Sequence, residues 1–415
     1  MNRRTCAPCA LALLAALALV ACMRVDANRP PPQPGSRMPE PETAPLRVAS
    51  YNVSLQDEDA GGLIRRLELD STQARRIAAV LQKLRPDIVL LNEFDHDAEG
   101  RAADLFQQRY LERPQPGGGE ALHYPYRYLA PVNTGVPSGL DLDGSGGIGG
   151  PGRERGNDAW GYGLHPGQYG MLLLSRYPID AAQARSFQLL KWSAMPGARR
   201  PVDPATGQPF HSDAVWRQLR LSSKSHWDVP VRTPLGAVHV LASHPTPPVF
   251  DGPERRNLLR NRDEIRFWSE YLSPETGQAA WLCDDTGRCG GLDPDARFVI
   301  LGDLNNDPVD GDGDHAAIVE LIEHPRVLRH PTPRSDGAVL AAGIDGGSNA
   351  AHRGSHAHDT GRFGSRVGNL RLDYALPSTG FRLAGSGVFW PAPGHPDEAL
   401  TAASDHHPVW VDLAP

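Results

Sequence analysis

The stretch RFVILGDLNNDP, residues 297–308, holds the features around which the rest of the chain is organised. Its apolar part, residues 298–301, has the length and β-branched content of a buried strand. That strand runs directly into Asp303 and Asn305, which an extended backbone would point to the same side. Taken alone, the polar part has the composition of a turn, because Gly, Asp, Asn and Pro are ordinary turn formers. Whether these side chains do chemistry depends on what the other strands bring to the same place.

Two strands near the start of the folded part also carry polar side chains near their ends. Residues 46–53 alternate apolar and polar side chains and include Asn52, and the apolar run at residues 87–93 ends in Glu93. Between them, residues 72–84 have apolar side chains at helical spacing. This strand–helix–strand order predicts a sheet covered by helices.

The second half of the chain repeats this arrangement of a strand next to a side chain that can bind a metal or transfer a proton. The positions are His244, after a strand over residues 237–243; Asp373, in the middle of a strand over residues 370–376; and Asp405 with His406, before the last strand. Each position alone has an ordinary structural explanation, such as a solvated carboxylate or a histidine satisfied by its neighbours. Their joint occurrence beside strands predicts one shared site.

In this order the segments resemble the endonuclease/exonuclease/phosphatase superfamily, which includes the DNase I-like nucleases, neutral sphingomyelinases and inositol polyphosphate 5-phosphatases. The most specific pieces are Gly-Asp-Leu-Asn at 302–305, Ser-Asp-His-His-Pro-Val at 404–409 and Leu-Asn-Glu at 91–93. The resemblance covers most of residues 46–415 and implies that they form one domain. It implies an α+β fold, a four-layer α/β sandwich of two packed, mainly antiparallel β-sheets flanked by helices. The active site is expected where strand ends and loops converge at one end.

The resemblance implies a divalent-metal-dependent phosphoesterase that acts by attack of an activated water. Such an enzyme must neutralise the charge of an anionic ester and activate the water. Hard oxygen ligands without cysteine suit Mg²⁺, or Mn²⁺ or Ca²⁺, rather than zinc. Glu93 is expected to hold the metal with Asn52 beside it, and Asp405 is expected to contribute further.

The remaining roles follow from the same resemblance. Asp303 and Asn305 would position the attacking water and the phosphoryl oxygen. His406 would be the general base or the partner acid, and Asp373 would hold the His406 ring in one tautomer, as carboxylates do for catalytic imidazoles. His244 would hydrogen-bond to a phosphate oxygen or protonate it.

The sequence departs from the family's pattern around His244. Residues 243–246 are Ser-His-Pro-Thr, where many members have Thr-His-Leu, so the loop after the histidine is expected to run differently. DNase I-like enzymes also have a carboxylate that supports this histidine. No clear match for it is present near Gln168 and Tyr169, which leaves that support in doubt.

The formal net charge of −7 argues against a broad basic surface for nucleic acid. A nuclease remains compatible with this charge, since a bound divalent cation supplies positive charge locally. The arginines of the helix expected over residues 254–272 are assigned to a solvated face rather than to a phosphate clamp. The substrate is left open among nucleic acid, phospholipid and small phosphoesters, and the chain is expected to be a monomer.

Three functional hypotheses remain from the sequence. A phosphodiesterase at the cell envelope is the leading one. The alternatives are a phosphomonoesterase that scavenges phosphate and a catalytically silent surface binding module. Retention of both histidines and of all the carboxylates argues against the silent module.

The N-terminus has the pattern of an exported lipoprotein. Residues 1–22 combine a basic start with a short apolar run and end in Leu-Val-Ala-Cys, which predicts a lipoprotein-type signal peptide with Cys22 as the lipidated residue. Ordinary cleavage with an incidental cysteine is the alternative. Residues 23–45 are rich in proline and predict an extended, disordered tether. The expected location is the outer membrane, held through the lipid, or the periplasm; secretion is the alternative.

Cysteine and glycine usage adds further expectations. Cys283 and Cys289 are expected to form a disulfide rather than a zinc site, because no further ligands stand at matching spacing. The glycine-rich segment 131–160 is assigned to a mobile surface loop. Its Asp-x-Asp-x-Ser start and the later Asp310, Asp312 and Asp314 both lack the Gly or Glu that an EF-hand needs at fixed positions. His356, His358 and Asp359 form either an accessory metal site or, as the preferred interpretation, a polar loop.

Overall fold

The structure is a computed structural model and describes residues 44–415. The expected signal peptide, Cys22 and all but the end of the proline-rich tether lie outside the described residues. The described residues 44–415 form one compact unit. Within residues 44–415, no helix is both long and apolar enough to cross a lipid bilayer.

Thirteen strands are present between residues 44 and 415. Their bounds are β1 Leu46–Leu55, β2 Ile88–Phe94, β3 Tyr126–Tyr128, β4 Met171–Ser175, β5 Arg185–Ser186, β6 His226–Thr233, β7 Gly236–Ser243, β8 Phe298–Asp303, β9 Gly361–Arg362, β10 Asn369–Leu370, β11 Asp373–Pro377, β12 Arg382–Val388 and β13 Val409–Ala414.

Nine α-helices, most of them short, lie in the same part of the chain. Their bounds are α1 Gly62–Glu68, α2 Thr72–Leu84, α3 Arg101–Phe106, α4 Arg153–Asn157, α5 Asp213–Trp216, α6 Arg256–Tyr271, α7 His315–Ile322, α8 Asp336–Asp345 and α9 Gly364–Val367. The α2 helix has the bounds that its apolar spacing predicts. It begins after Ser71, whose hydroxyl accepts the Ala74 N–H, and it ends at Arg85 in the left-handed conformation.

The strands form two large sheets and one small one. The first sheet has the order β12-β13-β1-β2-β4-β3, the second has the order β11-β8-β7-β6-β5, and β9 pairs with β10. All neighbours are antiparallel except β1 with β2 and β7 with β8, which are parallel. Each large sheet is therefore mainly antiparallel with one parallel pair inside it.

Side-chain alternation explains how these sheets pack. In β1, Val48 faces the core between the two sheets, while the adjacent Ala49 faces the helices that cover the first sheet. In β8, Val299 faces the same inter-sheet core, and Ile300 packs under the helices of the second sheet. Successive strand residues point to opposite faces, so each sheet has two buried faces. The α+β fold of two packed sheets between helical layers, expected from the sequence, is confirmed.

Strand pairing brings the polar strand ends together. In the parallel pair of β7 and β8, Ala242 lies opposite Leu301, so His244 and Asp303 leave the sheet at the same level. In the antiparallel pair of β8 and β11, Asp303 lies directly opposite Asp373. The register of the second sheet thus places three of the expected site residues side by side.

Three expectations about local structure need correction. Asp373 begins β11 and does not lie in the middle of a strand, because the residues before it leave the sheet to form the separate strand β10. The segment 131–160 is not simply a surface loop, since Leu142 and Trp160 pack into the core of the second sheet. A glycine-rich composition does not reveal these buried anchors.

The third correction concerns the arginines of α6. Arg260 is half-buried and donates to the backbone oxygens of Trp160 and Arg220, at 2.6 and 2.9 Å. Arg266 pairs with Glu270 one turn along the helix and donates to the backbone oxygens of Pro196 and Gly197. These arginines fasten the helix to neighbouring segments, so the face is not merely solvated.

Candidate active site

Asp303 lies at the centre of a buried polar cluster. Its Oδ2 accepts a hydrogen bond from Asn52 Nδ2 at 3.0 Å, and its Oδ1 accepts the backbone N–H of Asn305 at 2.9 Å. Its own N–H donates to Oδ1 of Asn92 at 3.2 Å. Because Asn52 and Asn92 belong to the first sheet, these bonds connect the two sheets at the site.

Two histidines flank the same carboxylate. The Nε2 atom of His244 lies 3.4 Å from Asp303 Oδ2, and the Nε2 atom of His406 lies 3.7 Å from it. Burial opposes ionisation of the Asp303 carboxyl, but the His406 charge and the His244 hydrogen bond outweigh burial and lower its pKa. Asp303 is therefore a carboxylate at neutral pH.

His406 is held as a cation by two carboxylates. Its Nδ1 lies 2.8 Å from Asp373 Oδ2, so the ring turns Nε2 toward Asp303. Burial would lower the pKa of His406, but the charges of Asp373 and Asp303 overcome burial and raise it well above its usual value. Burial raises the pKa of Asp373, and the His406 charge opposes that shift. The pair is arranged to keep a proton on the imidazole.

His244 is in the opposite state. Burial and the nearby charge of Lys224 lower the pKa of its ring to about 4, so it is neutral at pH 7. Its Nδ1 is buried and has no hydrogen-bond partner among the described residues. The supporting carboxylate that the sequence left in doubt is thus not found at Nδ1 of this ring within residues 44–415. The loop after His244 is fixed instead through the Pro245 carbonyl, which accepts from Asn305 Nδ2 at 3.2 Å.

Glu93 has a carboxylate oxygen, Oε2, that is available to a ligand in the cavity. It adopts a left-handed backbone conformation with φ of 57°, uncommon for a non-glycine residue. Its Oε1 accepts from Asn52 Nδ2 at 3.1 Å, while its Oε2 has no hydrogen-bond partner in residues 44–415 and lines the cavity. Burial raises the pKa of the Glu93 carboxyl, against the Asn52 hydrogen bond and the His406 charge. A divalent cation at Oε2 would supply the positive charge that this carboxylate lacks, so the donor set fits the expected metal.

Asn52 is placed beside Glu93 as expected, but it does not present a free oxygen. Its Nδ2 bridges Glu93 and Asp303, and its Oδ1 accepts the Ser54 N–H at 3.1 Å. In this arrangement the amide orients the two carboxylates. Direct coordination through Oδ1 would require the amide to turn away from Ser54.

Asp405 lies apart from the buried cluster. Its side chain is exposed and lines the cavity mouth, next to His406 in the chain. The structure therefore brings together Asn52, Glu93, His244, Asp303, Asn305, Asp373 and His406, and places Asp405 at their edge.

A second grouping of ligand-type atoms occurs inside the cluster. One atom each from Asp303, Asp373 and His406 lie within 4.8 Å of one another, as metal ligands would. However, the imidazole already hydrogen-bonds to Asp373 and faces Asp303. These contacts indicate that the two carboxylates keep a proton on His406. Glu93 is therefore the better ligand for the metal.

Sequence reasoning assigned no role to three residues next to this cluster. Lys224 is 6% exposed and lines the cavity beside Glu93, and burial lowers the pKa of its ammonium group. Tyr169 also lines the cavity and has a φ of 56°. Asp95 accepts the backbone N–H groups of Asp57 and Tyr169, and burial raises its pKa to about 7. Asp95 has a sequence signal, since it lies two residues after Glu93, whereas Lys224 has none.

The cluster forms one end of a cavity of about 700 Å³. The rest of the lining includes the apolar side chains of Leu142, Trp192, Phe363 and Leu372, together with polar ones such as His211. Phe250 also lines the cavity, is 74% exposed and has a φ of 63°. The cavity thus combines the polar, charged cluster with a lining that offers apolar surface.

The other candidate metal segments have structural roles. Asp310 accepts the N–H groups of Arg353 and Gly354, and Asp314 accepts the Ala316 N–H at the start of α7. This agrees with the rejection of an EF-hand there. Asp141, Asp143 and Asp158 do approach one another, but they accept backbone N–H groups of their own loop.

The histidines near residue 356 form a polar loop. His356 Nδ1 pairs with Asp359 at 2.7 Å, whereas His358 Nδ1 bonds to the Pro333 carbonyl at 3.1 Å. Within residues 44–415 they do not converge as metal ligands. Elsewhere, Cys283 and Cys289 are joined in a disulfide.

Residues 49–406 match the Endonuclease/Exonuclease/phosphatase family. The chain belongs to this family and is a metal-dependent hydrolase that acts on phosphoric ester bonds. The family resemblance drawn from the strand-end motifs is confirmed. The comparison with curated proteins finds no significant match.

Solved structures with a similar arrangement share little sequence with this chain. They include an endonuclease/exonuclease/phosphatase from Beutenbergia cavernae, with 18% identity, 89% of this chain and 72% of that chain covered, and a TM-score of 0.46. Sphingomyelinase C from Streptomyces griseocarneus has 15% identity, covers 89% and 99%, and has a TM-score of 0.44. A family protein from Leptotrichia buccalis has 13% identity, covers 89% and 100%, and has a TM-score of 0.43.

Proposed function

We propose that this hydrolase is a phosphodiesterase of the cell envelope. The observation that carries the proposed reaction is the position of Asp303, whose Oδ2 lies 3.4 Å from His244 Nε2 and 3.7 Å from His406 Nε2. A carboxylate between two imidazoles provides a proton acceptor next to hydrogen-bond donors, as hydrolysis of an anionic ester requires.

The water is activated at Asp303 in this proposal. The carboxylate is ionised because its pKa is lowered, and it can accept a proton from a water on the cavity side. Asn305 fixes the carboxylate through its backbone N–H and holds the Pro245 carbonyl with its side chain. These contacts limit rotation of Asp303, so a bound water would keep one direction of attack.

The two histidines then have different tasks. His406 carries a proton and presents Nε2 to the cavity end, so it stabilises or protonates an oxygen of the phosphoryl group. Of the two roles expected for His406, the geometry supports the partner acid. His244 is neutral at pH 7 and supplies a hydrogen bond to a phosphate oxygen rather than a proton.

Glu93 is the proposed metal ligand, through its open Oε2. A bound Mg²⁺ would neutralise charge on the phosphoryl oxygens and lower the pKa of coordinated water. Asn52 orients Glu93 for this purpose, and Asp405 at the cavity edge is placed to contribute a further oxygen.

The size of the cavity favours a diester over a monoester. A volume of about 700 Å³ exceeds what a phosphate group needs and leaves room for a substantial ester substituent. A nucleic acid strand, a phospholipid and a small phosphodiester all meet this description. A monoester fits less well. It has only one ester substituent, so the space for a second substituent beside the phosphate would stay empty.

The location at the envelope rests on the N-terminal sequence. The lipoprotein-type ending at Cys22 and the proline-rich residues 23–45 would hold a monomeric catalytic domain on an outer-membrane lipid. Replacement Cys22→Ser should abolish incorporation of labelled fatty acid into the protein. Incorporation equal to that of the wild type would contradict the anchor.

The reaction is tested with bis-p-nitrophenyl phosphate in the presence of Mg²⁺ or Mn²⁺. Turnover by the wild type, its loss on chelation and its restoration by metal are the expected results. The Asp303→Asn variant should lose most of this turnover while it remains folded at the assay temperature; its melting temperature should be lower, because the ionised carboxylate beside His406 stabilises the folded state. Hydrolysis of p-nitrophenyl phosphate at a higher kcat/KM than the diester would replace the proposal with the phosphomonoesterase. Absence of turnover by the wild type as well as by the variant, on diester, nucleic acid and phospholipid, would leave only the binding module.

A further inference from the structure

We propose that Lys224 is a phosphate-binding residue, whose ammonium group contacts a non-bridging oxygen of the substrate's phosphoryl group. The inference deepens the proposed function, since it assigns a further binding residue to the same site. It starts from an unusual placement. Lys224 is 6% exposed, and its Nζ has no hydrogen-bond acceptor within residues 44–415. Lysine is almost never buried in this way unless it is paired.

The side chain is directed at the reactive end of the cavity. Lys224 lines the cavity together with Glu93, His244 and Asp303. Its positive charge acts on the Glu93 carboxyl and on the His244 ring, so it lies close enough to influence both. A phosphoryl group bound among these residues would meet the ammonium group within the same space.

The backbone around Lys224 is held from both sides. The Lys224 carbonyl accepts the Asn133 N–H at 2.9 Å, and the Ser223 N–H donates to Oε1 of the buried Glu264 at 2.6 Å. The other oxygen of Glu264 accepts the Thr246 N–H at 2.6 Å. One carboxylate therefore fixes the segment of Lys224 and the loop after His244 relative to each other. Such preorganisation is expected of a ligand-binding group.

The residue type supports the assignment. The chain has only three lysines, Lys83, Lys191 and Lys224, while arginine supplies nearly all other positive charge. Arg185, the one fully buried arginine among residues 44–415, has a full set of acceptors in Asp284, the Tyr271 hydroxyl and three backbone oxygens. An arginine needs such a planar set, whereas a single ammonium group on a flexible stem can meet one phosphate oxygen in a narrow space.

A structural explanation competes with this assignment. Lys224 could serve as a distant counter-ion for Glu264, which has no cation within ion-pair distance in the described part of the chain. The two explanations differ in what a neutral replacement does. A counter-ion role predicts lower stability with unchanged phosphate affinity, whereas a ligand role predicts weaker phosphate binding with stability maintained.

The test compares the wild type with Lys224→Met, Lys224→Arg and the control Lys191→Met. Lys191 is exposed, donates to the Gln218 carbonyl and lies over the ring of Trp160, so the control makes the same change of charge away from the cluster. Binding of inorganic phosphate is measured directly by ³¹P NMR titration, both with chelator and with Mg²⁺. Melting temperatures are measured on the same samples.

We expect Lys224→Met to bind phosphate roughly 10- to 100-fold more weakly, as loss of a charge-assisted hydrogen bond implies. Lys224→Arg should recover part of the affinity, Lys191→Met should match the wild type, and the melting temperature of Lys224→Met should be unchanged or higher. Wild-type affinity in Lys224→Met would overturn the inference, and so would a lower melting temperature with affinity retained. Because phosphate binding requires no turnover, this outcome is separate from that of the diesterase assay.

Discussion

The two ends of the cavity are built in different ways. At the floor, which we define as Asn52, Glu93, His244, Asp303, Asp373 and His406, every side chain comes from a strand end or the residues beside it and bonds to another member. The rim consists of the segment 131–160, which includes α4, and the loop 245–255. It carries exposed groups such as Phe250, and Arg153 lies near the rings of Phe250 and Tyr162.

Because of this difference, the floor residues determine the reaction and the rim residues determine which substrates bind. The floor is fixed by pairing within and between two sheets, so its geometry does not depend on the loops. The rim can change without moving any floor residue, as binding loops on a rigid scaffold commonly do. Substitutions at the floor should therefore reduce activity on every phosphoester, and substitutions at the rim should affect some substrates more than others.

The largest effect is expected for Asp303→Asn. The amide keeps the shape but cannot accept the proton from water, and general acid–base groups contribute on the order of 10²–10⁴-fold to rate. We expect kcat to fall by this amount for bis-p-nitrophenyl phosphate and for any larger ester. A fall for only one class of substrate would break the distinction between floor and rim.

Glu93→Gln should change the metal requirement. The substitution removes the negative charge of the proposed ligand, so the concentration of Mg²⁺ for half-maximal activity should rise at least about 10- to 100-fold, the range found when even outer-shell partners of a metal are lost. Metal-dependent activity is measured over a Mg²⁺ series, with binding of Mn²⁺ followed by electron paramagnetic resonance. Asp405→Asn, at the cavity edge, serves as the matched comparison and should have a smaller effect.

Asp373→Asn should alter the pH dependence rather than abolish the reaction. Asp373 raises the pKa of His406, and the protonated form is the active one in the proposed mechanism, so activity is lost as pH rises through that pKa. Without the carboxylate, the pKa falls and the alkaline limb of the kcat profile moves to lower pH, with kcat reduced about 10-fold or more. If the alkaline limb of the variant lies at the same pH as that of the wild type, a group other than His406 must produce it.

The smallest effect is expected at the rim, for Phe250→Ala. Phe250 is exposed and its positive φ is strained, so its side chain is not held there by the core. For a diester with a bulky apolar group, KM should rise up to about 10-fold, the equivalent of about 1.4 kcal/mol of lost contact. For a dimethyl or similarly small phosphodiester, kcat/KM should not change. Equal effects on both substrates would show that Phe250 belongs functionally to the floor.

Much of the floor could be predicted from the sequence because its residues are tied to regular strands. Asp303 and Asp373 stand opposite each other in a sheet, and the apolar runs before Glu93 and His244 identify their strands without further information. The ends of such strands carry the family's motifs. The fold and the membership of the site therefore followed from local patterns together with the resemblance.

The parts that could not be predicted depend on contacts between distant segments. Lys224 lies in the serine-rich segment before β6, and only the packing of Asn133 and Glu264 around it turns its side chain into the cavity. The orientation of the Asn52 amide depends on Ser54 and Asp303 together. The burial of Leu142 within a glycine-rich loop likewise follows from the cavity wall against which it packs.

The pairing of Asp303 with Asp373 has a consequence for how this enzyme could be altered. The carboxylates are aligned by strand register, while residues 304–372 form an excursion that contains α7, α8 and α9. A shift of β11 by one residue would turn Asp373 to the other face of the sheet and release His406. Changes in the length of the excursion carry no such penalty, provided that Asn305 and the contacts of Asp307 and Thr360 are kept. The excursion is therefore a natural place to graft foreign loops onto a working hydrolase.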